Sequence, residues 1–76
     1  MDDDLEDVRR LARMLWGNVH VQVFRKCCSS LPWRAKVIFD EQHPLYVYTI
    51  HEEDASSRQE AIELLTRRLR FEKENQ

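Results

Sequence analysis

Two cysteines and three histidines are the residues of this chain that most readily suggest chemistry. A zinc site needs its thiolates and imidazoles in short pairs, and His20, Cys27, Cys28, His43 and His51 form neither a C-x-x-C nor an H-x-x-x-H. Adjacent Cys27 and Cys28 at a strand end point to opposite faces, so one is expected in the core and one in solvent. A Cys28–His pair would need an orienting third group to act as a nucleophile, and none is marked. The acids Asp2, Asp3 and Asp4 sit at a chain end, and Glu52, Glu53 and Asp54 precede the last helix. Both groups read as solvated charge that suits a helix dipole, and neither has the glycine and ligand spacing of a calcium loop. One glycine cannot build a phosphate-cradling loop. The sequence thus carries no recognisable catalytic residue, metal site or cofactor motif, and an enzyme is not expected.

The elements that position these residues follow from periodicity. Leu5, Val8, Leu11, Ala12, Leu15 and Trp16 recur at helical spacing, with Asp3 and Glu6 as a capping box and Gly17 as a left-handed C-cap. From Val19 the period becomes two: Val19, Val21 and Val23 alternate with His20, Gln22 and Phe24. After a turn over Cys27–Pro32, a second strand runs from Trp33 to Phe39, with Trp33, Ala35, Val37 and Phe39 on one face. A turn at Asp40–Pro44 leads to a third strand predicted over Leu45–His51, whose inward face the alternation leaves open. Ser57 and Glu60 then form the capping box of a last helix with Ala61, Ile62, Leu65 and Leu69 as its apolar stripe. Glu63–Arg67 and Arg70–Glu74 are spaced for ion pairs on that helix.

Short turns favour an antiparallel meander. The expected fold is an α+β, two-layer α-β-β-β-α sandwich in which two helices cover one face of a three-stranded antiparallel sheet. The 76 residues make one domain, with residues 1–3 and 72–76 expected to fray. The acidic start and the lack of a long apolar run predict neither a secretory leader nor a membrane span, and hence a cytoplasmic protein.

Two surfaces remain for binding. The open sheet face is expected to show Gln22, Phe24, Arg34, Lys36 and Ile38, joined by Tyr46 and Tyr48. Aromatics interleaved with basic residues suit either a protein interface or nucleic-acid bases and phosphates. The last helix sets Leu64 and Phe71 beside its main stripe with Arg67 and Arg68 between them, an apolar strip rimmed by charge. A net charge of −2 favours protein over phosphate. The leading expectation is a protein-binding module: a small inhibitor, adaptor or accessory subunit, for example a phage-type inhibitor of a host defence complex. Its partner-binding residues would be Phe24, Arg34, Lys36, Tyr46, Leu64, Arg67, Arg68 and Phe71. The alternative is binding of double-stranded RNA or DNA through Arg58, Arg34 and Lys36. A thin core is also compatible with a homodimer.

The segment Ser56-Ser57-Arg58-Gln59-Glu60-Ala61 resembles the serine and Lys-Lys-x-Ala-Lys element that opens the last helix of the double-stranded RNA-binding domain. The order of elements is similar too. By that resemblance Arg58 matches the first phosphate-gripping position, while Gln59 and Ile62 replace the second and third basic residues. His51, Glu52, Glu53 and Asp54 stand where glycines are usual, and Cys28–Pro32 lacks the family's Gly-Pro-x-His element. What it implies is a degenerate member of the family, a type that often serves in protein contacts or dimerisation.

Overall fold

The computed structural model describes residues 5–75. Helix α1 spans Glu6–Trp16, strands β1, β2 and β3 span Val19–Arg25, Trp33–Phe39 and Thr49–Ala55, and helix α2 spans Arg58–Glu74. The strands form one antiparallel sheet in the order β1-β2-β3. This is the α-β-β-β-α arrangement read from the sequence.

One face of the sheet is roofed by both helices. Val8 and Ala12 of α1, Val19, Val21, Ala35, Val37 and Ala55 of the sheet, and Ala61, Leu65 and Leu69 of α2 form a continuous buried cluster. The alanines let helix backbones approach the sheet closely, while Leu65, Leu69, Val8 and Val37 fill the volume between. Helix α2 lies against all three strands and against α1.

The local signals explain most boundaries. Gly17 ends α1 at φ +84°, and its N–H closes on the Arg13 carbonyl at 2.9 Å. Its ψ of −120° lies outside the left-handed helical well, in a region glycine enters because it has no Cβ. The predicted caps at Asp3, like Asp2, Asp4 and Gln76, lie outside the described residues; Leu5 occupies the N-cap position without a side-chain bond. On α2, Ser57 Oγ accepts from the Glu60 N–H at 3.1 Å. The return bond shifts by one residue, since Glu60 Oε1 accepts from the N–H and hydroxyl of Ser56. Ser57→Ala is therefore expected to destabilise the domain by about 1 kcal/mol, readable as a lower urea midpoint with an unchanged slope. The helix continues past its last apolar anchor to Glu74, where Asn75 bonds the Phe71 carbonyl through both its backbone and its side-chain nitrogen. Among the described residues neither Glu63–Arg67 nor Arg70–Glu74 forms an ion pair; Glu63 accepts from Gln59 instead.

The third strand is the main correction. Leu45–Tyr48 is not strand: β3 begins at Thr49 and extends through Glu52, Glu53 and Asp54, the acids expected as solvated charge ahead of the last helix. Between residues 42 and 48 backbone donors go to local turns, with His43, Tyr46 and Tyr48 bonding the carbonyls of Asp40, His43 and Leu45. Asp40 and His43 side chains take the N–H groups of Gln42 and Leu45, and Pro44 has none to give. The register is set by charge: Arg34 lies opposite Asp54 and Lys36 opposite Glu52. A shift between Val37 and Ile38 leaves Ile50 unpaired and packed toward the core.

Candidate functional site

On the open face of the sheet, β1 and β2 align Phe24 with Arg34 and Gln22 with Lys36. Lys36 Nζ stands 5.4 Å from the centre of the Phe24 ring, a cation–π contact that covers part of the aromatic face. Arg34 is committed elsewhere. Its Nε donates to Asp54 Oδ1 at 2.8 Å and its Nη2 to Oδ2 at 3.3 Å, while Lys26 Nζ donates to the same Oδ2 at 2.8 Å. Glu52 lies 3.8 Å from Arg34 Nη1. The guanidinium, bonded to Asp54, is held above its ordinary pKa. The Asp54 carboxyl, bonded by Arg34 and then Lys26, is pulled down to about 2. The acids Glu52, Glu53 and Asp54 are thus strand residues paired with cations rather than a solvated cluster.

The inner face of β3 is polar for the same reason. His51 lies against Trp16, ring centres 5.5 Å apart, and 3.5 Å from Glu72; Glu53 reaches Arg68 at 3.5 Å. These contacts clip the edge of the sheet to the last turns of α2. At the other end of β2, Asp40 accepts from His20 at 2.8 Å, and the Gln42 N–H, ahead of His20, lowers the Asp40 pKa.

Four of the anticipated residues come together on α2. Leu64, Arg67, Arg68 and Phe71, with Glu53, surround a shallow depression of about 290 Å³. Leu64 is half-buried against the core, and Phe71 is 61% exposed. Tyr46 does not join the sheet residues as expected. It sits on the 40–48 loop, where Leu45, Tyr46, Val47 and Tyr48 are all exposed, by 46 to 67%. Strand propensity puts this run in the sheet and so hides Leu45 and Val47 as surface residues; Pro44 at its start is the signal against a strand. The two apolar features share one end of the molecule, because Tyr48 adjoins the start of β3 and Glu72, next to Phe71, contacts His51.

Cys27 and Cys28 are both exposed, contrary to the expectation that one enters the core, because neither lies in a strand. Among the described residues no three His, Cys, Asp or Glu side chains converge as metal ligands, and no helix is long and apolar enough to cross a membrane. Comparison with protein-family models, curated proteins and solved structures finds no match to this chain.

Proposed function

We propose that this chain is a non-catalytic protein-binding module, acting as a small inhibitor, adaptor or accessory subunit, and that it grips its partner with the apolar end formed by the Leu45–Tyr48 loop and Phe71. The observation that carries this reading is the run of four consecutive large apolar side chains in solvent on a loop whose turns are locally bonded. Burying them against the fold is not what they do, and exposed apolar patches rimmed by polar groups mark interaction sites. Tyrosine and phenylalanine bring large rigid contact areas, and Arg67 and Arg68 supply a charged rim. In this reading the chain works in the cytoplasm, where its exposed thiols stay reduced.

The test is quantitative capture with the intact chain as bait, beside a Tyr46→Ala/Phe71→Ala variant checked by circular dichroism to be folded. Loss of two exposed aromatic anchors is expected to weaken recovery of the specific partner by about tenfold or more, as hot-spot truncations do. Unchanged recovery by the folded variant would rule out this surface. Nucleic-acid binding through Arg58, Arg34 and Lys36, drawn from the resemblance and from the basic and aromatic residues of the open sheet face, is weakened by the engagement of Arg34 with Asp54. It predicts duplex binding that falls steeply with salt, whereas apolar capture persists.

A further inference from the structure

The two edges of the sheet are unequal. The β3 edge carries a register shift and the acids Glu52 and Asp54, features that discourage another strand from adding. The β1 edge has neither: Val19–Arg25 pairs with β2 residue for residue along its whole length. The ladder bonds define which groups that edge presents. Asp40 N–H bonds Asn18 C=O at one end, and Lys26 N–H bonds Pro32 C=O at the other. Bonded residues alternate in an antiparallel pair, so the even-numbered positions of β1 face β2. The backbone N–H and C=O groups of Val19, Val21, Val23 and Arg25 therefore point away from the sheet.

A groove of about 670 Å³ opens against the first part of this edge, at residues 19–21. On the strand side it is lined by the consecutive residues Val19, His20 and Val21, whose side chains alternate between the faces, so the strand's edge borders it. Its wall is α1, with Glu6, Arg9, Arg10, Arg13 and Met14. Arg10 is occupied by Glu6 and Asp7 at 3.7 and 3.6 Å. Arg9 and Arg13, one helical turn apart and exposed, have no ion-pair partner among the described residues. Among the described residues, the groove combines backbone groups without a strand partner with two positive charges without an ion-pair partner.

We infer that the β1 edge is a docking site for an extended acidic segment of a protein partner, which adds as a fourth strand and sets carboxylates against Arg9 and Arg13. Strand addition supplies affinity through the main chain, and the side-chain charge supplies selection. A second copy of this chain is the poorer occupant at this edge. Its own β1, Val-His-Val-Gln-Val-Phe-Arg, brings no acid to the arginines and adds another cation. This site is separate from the Leu45–Tyr48 and Phe71 surface and stands or falls independently of it.

The probe is a labelled seven-residue peptide with blocked ends, Glu-Val-Glu-Val-Glu-Val-Glu, titrated into the full chain at low salt. A lysine-for-glutamate peptide and a version with proline at its centre serve as controls. The expected result is saturable binding of the acidic peptide, weakened by about tenfold or more by the lysine and proline changes. In amide hydrogen exchange, Val19, Val21 and Val23 should slow by about tenfold or more on binding, because only the odd positions gain partners. Arg9→Glu/Arg13→Glu, at two exposed positions, should abolish binding while leaving the circular dichroism unchanged. Tyr46→Ala/Phe71→Ala should bind the peptide as the parent does, which separates failure here from failure of the apolar surface. Equal binding of acidic and basic peptides, unaltered exchange at the odd β1 amides, or self-association with no peptide binding would each overturn the assignment.

Discussion

Replacing Leu65 with alanine is expected to remove about 2–5 kcal/mol, which is comparable to the whole stability of a domain this size. Leu65 is fully buried, and it is the largest side chain in the cluster shared by both helices and the sheet, together with Leu69. The loss has two parts: the transfer energy of the deleted methyl groups and the cavity left between α2 and the sheet. The surrounding alanines at 12, 35, 55 and 61 have no longer side chains to swing into that space. Urea unfolding followed by far-ultraviolet circular dichroism measures the effect, and Leu64→Ala is the comparison. Leu64 is only half-buried, so its truncation should cost clearly less. Equal losses at the two positions would mean that the helix is not packed on the sheet as described.

The second large effect is expected at Asp54. Asp54→Asn keeps the shape but removes the charge that holds Lys26 and Arg34 on one carboxylate. The folded-state pKa is about 2, below the 3.8 usual for the group. A depressed carboxyl stabilises the folded state above its unfolded pKa and loses that contribution as pH falls through the folded value. Wild-type protein should therefore exceed the variant by about 1–2 kcal/mol near neutrality, an allowance that includes screening of a partly exposed pair. The gap should close between pH 4 and 2, the interval between the two pKa values. Urea midpoints for both proteins across that range give the answer. A gap that stays constant down to pH 2 would show that Asp54 stabilises the sheet by shape rather than by charge. Asp40, also depressed, titrates in both proteins and cancels in the comparison.

Much of the fold is legible in the residues because inner and outer faces differ sharply. Valines at 19, 21 and 23 and small or branched residues at 35 and 37 permit one burial pattern, and Gly17 and Ser57 mark real helix ends. The third strand lies later than its expected place because a run such as Leu45-Tyr46-Val47-Tyr48 carries high strand propensity wherever it occurs. What decides pairing is the neighbour, and Glu52 and Asp54 match Lys36 and Arg34 at the same spacing of two. That complementarity was present in the sequence and outweighed local propensity. Of the proposed partner-binding residues, Leu64, Arg67, Arg68 and Phe71 are legible because helical spacing alone gathers them. Arg34 was readable as a face residue but not as a partner of Asp54, twenty positions away, since only the register brings the two together. The Arg9 and Arg13 groove was hidden for the same reason: α1 and the outer edge of β1 meet only through the tertiary fold.

Helix α2, which roofs all three strands, is also the last element in chain order. During translation the strands therefore leave the ribosome before their cover does. Until Leu65 and Leu69 have emerged, the inner valines and alanines have only α1 to shelter them. A nascent chain in that interval exposes those apolar residues, the kind of surface that other nascent chains can join. The native core can close only in one late step, when the final helix arrives. The rate at which this segment is synthesised thus bears on how much protein reaches the folded state, independently of how stable that state is.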